Sequence, residues 1–203
     1  MIGTEKRRVL LLVVSAPSGA GKSTLCDRLL ADHFFMTRSI SCTTRAPRGA
    51  EVDGRDYHFL SEAEFSRRVA EGLFLEHAVV HGNLYGTLRA TVEEGLKAGK
   101  DVLMVIDVQG ASSVRAAARA AGGILGESYV DIFISPPSLE ALRDRLQARG
   151  EDAPEVIEQR LANAQGEMLR AREYQHRVIN DQLDQAYAEL HAIIQAEHDR
   201  TPC

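Results

Sequence analysis

Unbroken apolar runs alternate with segments of helical period along most of this chain. VLLLVVS (residues 9–15), DVLMVID (101–107) and VDIFIS (130–135) are apolar stretches of strand length, and HRVIN (176–180) is a shorter one. A strand buried on both faces reads this way, because neither side chain row meets water. Between these runs, apolar residues recur every three to four positions over 23–32, roughly 112–121, 136–150, a long segment opening at Pro154, and 183–197. The last of these carries Leu183, Ala186, Tyr187, Leu190, Ile193 and Ile194 on one stripe, which predicts an amphipathic closing helix. Pro136 and Pro137 open the third helical segment and Gly150 stops it. Strand and helix alternation predicts a parallel sheet wrapped by helices.

Residues 41 to 98 break the rhythm. TTRAPRGAEVDGRDYHF is rich in turn formers and arginine, and EFSRRVAEGLFLEHAVVHGNLYG follows it. Short strand-like pieces and one or two helices are expected here, as an insertion over the carboxyl edge of the sheet. Ligands bind at that edge in open α/β sheets.

The chain has 203 residues, enough for one domain with a substantial core. A net charge of −5 argues against a broad nucleic-acid surface, and no nucleic-acid partner is expected. The longest apolar run is too short to cross a bilayer. The start MIGTEKRR is charged and no cleavage-like signal follows it, so the expectation is a cytoplasmic protein without membrane association. Cys26, Cys42 and Cys203 are odd in number and far apart, which fits reduced thiols better than a disulfide frame or a zinc site. His33, His58, His77, His81, His176, His191 and His198 form no metal-like spacing. Of 24 basic residues 20 are arginine and four are lysine, so one arginine means little by itself and Lys22 means more.

The most specific local signal is APSGAGKST, Ala16, Pro17, Ser18, Gly19, Ala20, Gly21, Lys22, Ser23 and Thr24, placed after a buried strand and at the mouth of a helix. Backbone N–H groups of such a loop converge on phosphate oxygens, the lysine reaches the β- and γ-phosphates, and the Ser23 hydroxyl can serve Mg²⁺. The alternative is a glycine-rich turn that binds nothing; strand, loop and helix in the required order weigh against it. Ala16 stands where glycine usually opens the pattern, and one added methyl is tolerable there unless φ is positive. Arg45 and Arg48, three apart in a turn-rich segment with Tyr57 nearby, can hold a phosphate monoester. Solvated surface arginines are an equally open explanation for that pair.

Five further motifs follow the loop in order: S-x-T-T-R-x-P-R (41–48), G-x-D-Y-x-F (54–59), F-x-E-x-A (74–78), G-N-x-Y-G-T (82–87) and D-x-Q-G (107–110). Together with the loop they resemble the guanylate kinase family, over about residues 9 to 195. The resemblance implies an α/β P-loop NTPase three-layer fold with a five-stranded parallel central sheet. Its core would be 1–40, 97–136 and 165–203, with a mixed α/β GMP-binding region at 41–96 and a helical lid at 137–164. It implies Mg²⁺-dependent transfer of a phosphoryl group from ATP to GMP, with dGMP as a further acceptor.

Residue by residue, the resemblance assigns Arg45, Arg48, Tyr57 and Tyr85 to the GMP phosphate. Ser41, Glu76, Thr87 and Asp107 would read guanine. Arg145, Arg149 and Arg160 match lid arginines that act with Lys22 and Arg45 on the transferring group. Asn180 matches a position near the adenine of ATP, although a turn asparagine capping the last helix fits as well. Guanine presents two adjacent donors that one carboxylate can accept, so Glu76 suits it chemically.

Three departures from the family pattern stand out. Val105 occupies the place of an expected second acid, leaving Asp107 or water-mediated contacts to suffice. RAPRGAE replaces R-P-G-E. Cys42 stands where serine is common. Two other functions remain open on this scaffold: a ribose-bisphosphate or other nucleotide kinase, and a non-catalytic peptide-binding module. The guanine-reading residues argue against the first, and the intact Gly21-Lys22-Ser23 against the second.

Overall fold

The computed structural model describes residues 7–80, 82–150 and 152–200. The charged start (1–6), His81, Glu151 and 201–203, with Cys203, lie outside the described residues.

Five strands form a parallel sheet: β1 (Leu11–Ser15), β2 (Met36–Arg38), β7 (Asp101–Val105), β8 (Tyr129–Ser135) and β9 (His176–Ile179), in the order β2-β7-β1-β8-β9. β1 is central, with Leu11 opposite Val102 on one side and Tyr129 on the other. All five of its residues are buried, which is why it reads as an unbroken apolar run.

Alternate residues of β1 feed two cores, as the two-residue period of a strand requires. On one face Leu12 and Val14 meet Leu25 and Leu29 of α1 (Lys22–Asp32) and Leu190 and Ile194 of α8 (Leu183–Asp199). On the other face Leu11 and Val13 join Val92 and Leu96 of α3 (Arg89–Lys97), Val114 and Ala118 of α4 (Val108–Ala121), and Leu125 of α5 (Gly123–Ser128). The result is a three-layer α/β sandwich, as the alternation of runs predicts.

The departures from expectation have local causes. β2 has only three residues, too few to show a period, and exists by pairing with β7. α4 starts four residues before Ser112 because Asp107 caps it, accepting from the Gly110 N–H at 2.7 Å. In α8 the expected stripe holds at Ala186, Tyr187, Leu190 and Ile194, whereas Leu183 is exposed.

Residues 42–88 build a second sheet, ordered β4-β3-β6-β5, from β3 (Cys42–Thr43), β4 (His58–Phe59), β5 (Phe74–Val80) and β6 (Asn83–Leu88). Helix α2 (Glu62–Ala70) packs beneath it through Phe65, whose ring stacks on Phe74 at 4.5 Å. Gly86 is required here, since a Cβ would fall 3.0 Å from the Glu76 carbonyl and 2.9 Å from the Phe74 ring. Two further helices, α6 (Leu139–Arg149) and α7 (Pro154–Leu169), pack through Leu142, Leu146, Ile157, Leu161 and Ala164. Ser138 caps α6, Gly150 ends it at φ 65°, and Pro154 sits in the first turn of α7, where its missing N–H costs nothing.

One buried ion pair ties the layers together. Asp131 of β8, fully buried, accepts from Arg115 Nε of α4 (2.7 Å), the Tyr129 hydroxyl (2.7 Å) and the Gln175 N–H (2.8 Å). Removing the charge of one partner leaves the other desolvated and uncompensated. Asp131→Asn should therefore cost about 3 kcal/mol of stability, read as a lowered urea midpoint at unchanged slope.

Candidate active site

β1 runs directly into the loop 16–21 and then into α1, so the amino end of α1 points its N–H groups at the loop. Lys22 is the first residue of that helix, and no acidic residue occupies the first turn. An anion is favoured there by the unpaired N–H groups and by the helix dipole. Gly19 and Gly21 adopt φ of 89° and 87°, a region side chains disfavour. The turn is pinned from outside: the Asn180 amide donates to the Ala20 carbonyl at 2.8 Å. A Cβ on Gly21 would sit 2.2 Å from that amide nitrogen. Ala16 is buried against the core and also borders the cavity over the loop.

A cavity of about 360 Å³ opens over the loop, lined by Ser18, Gly21, Lys22, Asp107, Arg149 and Glu167 among others. Lys22 Nζ donates to the Ile106 carbonyl at 3.2 Å. Burial holds its ammonium below the usual range, and Cys26, Glu167 and Asp107 pull it back up. Cys26 is buried and its thiol is pushed up to about 12, so it is an inert packing residue. Ser23 and Thr24 are exposed at the mouth.

A second cationic cluster lies in the small sheet. Arg45, mostly buried, donates from Nε to the Tyr85 hydroxyl (3.1 Å) and from Nη2 to both Glu51 oxygens (2.9 and 3.0 Å). Its guanidinium lies 5.4 Å from the Tyr57 ring centre, and the Tyr57 and Tyr85 rings meet edge-on at 6.0 Å. Arg48 is exposed, and its backbone N–H donates to Glu51 at 2.7 Å. The Arg45 hydrogen bonds, then the Arg48 N–H, hold the Glu51 carboxyl below the usual range. Glu51 was not singled out by the sequence. Its signal was an acid six residues after Arg45, inside the stretch that departs from the family turn.

A third cluster is buried beside it. β5 bulges between Phe74 and Glu76, which sets Glu76 opposite Thr87. The Thr87 hydroxyl donates to Glu76 Oε1 at 2.8 Å, and Ser41 Oγ lies 3.4 Å from Thr87 Oγ1. Burial pushes the Glu76 carboxyl up and Asp107 adds to this; hydrogen bonds from Thr87 oppose it. The second Glu76 oxygen and Asp107 Oδ1 both flank Gly110, each 3.3 Å from where a Cβ would stand. Asp107 thus lines the phosphate-loop cavity and also neighbours Glu76.

The three arginines of α6 and α7 that the resemblance singles out divide. Arg149 lines the phosphate-loop cavity. Arg160 pairs with Asp152 at 3.0 Å and lines an adjoining cleft of about 530 Å³ with Ser18 and Glu167. Arg145 donates to the Asn180 and Asp181 carbonyls (2.8 and 3.2 Å). Asn180 is not the cap of the last helix, because Gln182 holds that position and Asn180 turns its amide to the loop. Glu167, half-buried on α7, is the residue the sequence reading missed in this cavity. It lay in a long helical segment whose polar residues look like a solvated face. Burial pushes its carboxyl up, with Asp107 adding and Lys22 opposing.

No group of three His, Cys, Asp or Glu that could hold a metal occurs among the described residues. The Ser23 hydroxyl, Asp107 and Glu167 offer hard oxygen donors at one cavity. That set fits an ion such as Mg²⁺, which takes few protein ligands and keeps waters and phosphates.

A family model described as guanylate kinase matches residues 7–197. A guanylate kinase of Symbiobacterium thermophilum is 47% identical over 97% of this chain and 89% of its own length. One of Dechloromonas aromatica is 49% identical, over 92% and 88%. The crystal structure of guanylate kinase from Anaplasma phagocytophilum superposes with a TM-score of 0.74 at 33% identity, covering 96% of this chain and 89% of that one. The chain belongs to the guanylate kinase family.

Proposed function

We propose that this protein transfers the γ-phosphoryl group of ATP to GMP, giving ADP and GDP, and accepts dGMP as well. The observation that carries the proposal is Asp107. Its carboxylate lines the phosphate-loop cavity and stands beside Glu76, so a triphosphate site and a base-reading site share one boundary.

Each cluster has a role in this reaction. Glu76 accepts the N1–H and N2–H of guanine, its geometry fixed by Thr87. The Ser41 hydroxyl serves the guanine O6. Adenine lacks both donors and would leave Glu76 buried and unpaired, which is costly. Arg45, Arg48, Tyr57 and Tyr85 hold the GMP phosphate, taking Arg45 partly from Glu51. The loop N–H groups and Lys22 hold the β- and γ-phosphates. A phosphate oxygen of GMP attacks the γ-phosphorus in line as the bond to the bridging β–γ oxygen breaks, and that oxygen leaves with ADP. Little covalent help is needed, so alignment and charge neutralisation by Lys22, Arg45, Arg149 and Arg160 do most of the work. Ser23 and Asp107 would hold Mg²⁺, which supplies charge neutralisation and orientation at the phosphates.

Residues 41–96 act as the acceptor-binding region and 137–164 as a lid carrying Arg145, Arg149 and Arg160. Closure of both excludes water before transfer. The proposed setting is cytoplasmic, with small-molecule substrates and no nucleic-acid partner; no described helix is long and apolar enough to cross a membrane.

The test is steady-state transfer from Mg·ATP to GMP, dGMP, AMP, UMP, TMP and ribose 1,5-bisphosphate. Turnover confined to GMP and dGMP is expected. Turnover of another acceptor would overturn the base assignment, and binding of both nucleotides without turnover would favour a binding module.

Two substitutions separate recognition from stability. Glu76→Gln keeps an acceptor for Thr87 but loses the charge, and should lower kcat/KM for GMP at least about a hundredfold. The folded state raises the Glu76 pKa, so stability falls as pH rises from the ordinary carboxylate range towards the raised pKa and stays reduced above it. Glu76→Gln should therefore raise Tm at neutral pH, and the gain should shrink as pH falls through the ordinary carboxylate range. Ala16→Gly removes a buried methyl and should cost about 1–2 kcal/mol of stability, while ATP affinity stays within about twofold because Ala16, although it borders the cavity, is mostly packed against the core and offers no polar group to a phosphate.

A further inference from the structure

We infer that Glu167 is a second phosphate-site acid, acting with Asp107 on the metal that accompanies the nucleotide rather than as part of the lid's solvated face. The inference rests on the phosphotransfer function proposed above and assigns a further positioning residue to it.

Three observations carry it. Ile157, Leu161 and Ala164 form the buried stripe of α7 against α6, and Met168 continues its spacing into the core. Glu167 lies beside that stripe, half-buried, at the end of α7 that lines the loop cavity. Glu167 also lines both the cavity above Lys22 and the adjoining cleft that holds Arg160, so it stands where the two openings meet. Finally, among the described residues the Glu167 carboxylate has no side-chain hydrogen bond or ion pair; Lys22, the opposite charge that acts on it, turns its ammonium to the Ile106 carbonyl instead.

The chemistry follows from charge. A carboxylate facing phosphate oxygens repels them unless a cation lies between. The sheet edge contributes a single acid, Asp107, while Val105, two residues earlier, packs against the core. Mg²⁺ at a nucleotide is served by the phosphates and by one or two carboxylates, directly or through bound water. Glu167 supplies the second one from a helix of the lid. It would also couple lid position to metal binding, because α7 carries Arg160 seven residues earlier.

The experiment is calorimetric binding of ADP to the full-length protein, with Mg²⁺ and with EDTA, for wild type, Glu167→Gln and Glu167→Asp. Wild-type turnover of GMP is measured first, so that failure of the proposed reaction is recognised separately. Glu167→Gln should leave metal-free ADP affinity unchanged or up to a few-fold tighter, because a repulsive charge is gone. With Mg²⁺ its affinity should fall about tenfold, and the half-saturating Mg²⁺ concentration should rise by a similar factor. Glu167→Asp should recover part of the loss. An unchanged metal-dependent gain in affinity would overturn the assignment. So would equal losses with and without metal, which mark a structural role or the positioning of Lys22. Melting curves of both variants show that each is folded.

Discussion

The hydrogen bond from Asn180 to the Ala20 carbonyl is the contact on which the rest of the site depends. A loop that aims several N–H groups at one point cannot satisfy itself, and Gly19 and Gly21 at positive φ carry no side chains of their own, so Ala16 and Ala20 anchor it in the core. The remaining restraint comes from the end of β9, 160 residues further along the chain. Gly21 and Asn180 are one choice, since the amide occupies the space a Cβ would need. Helix α6 meets the same point twice. Arg145 holds the Asn180 carbonyl, and a Cβ on Gly19 would touch Leu142 and Leu146 at 3.0 Å. Loop shape and the position of α6 are thereby linked by packing before any substrate is considered.

A second constraint is electrostatic. Several cations have to be gathered where two phosphate groups meet, and gathered cations repel. Each is held by an oxygen of its own chain: Lys22 by the Ile106 carbonyl, Arg45 by Glu51, Arg160 by Asp152, Arg145 by the turn before α8. These partners fix the direction of flexible side chains, which lowers the ordering cost when a phosphate arrives. A phosphate brings more charge and more acceptor oxygens than any one of them, so it can share or displace the partner.

What the sequence made legible was local. The phosphate loop is nine consecutive residues whose chemistry follows from their order, and the buried strands declare themselves because both faces are apolar. β2 escaped because three residues carry no period, and α5 because Gly123 and Gly126 read as a turn while Leu125 packs into the core. The pairing of Glu76 with Thr87 depends on a bulge that no spacing rule announces. Asn180 was seen as a nucleotide contact or a helix cap, and its grip on the loop could not be read from neighbours in sequence. Glu51 and Glu167 were invisible for a related reason. An acid on a turn or a helix is ordinary until the fold sets it against Arg45 or Lys22.

Asp107 explains why the three clusters form one site. Its Oδ1 caps α4, and its backbone carbonyl accepts from Ser15 at the end of β1. The same carboxylate neighbours Glu76 on one side and lines the cavity over Lys22 on the other. A residue with three simultaneous duties cannot be tuned for one without disturbing the others. Glu76 and Glu167 sit on separate elements, β5 and α7, each next to Asp107 in effect but independent of its cap. On the proposed reading, base selectivity and phosphate-site charge can therefore change separately at those two positions, while Asp107 holds the sheet edge between them.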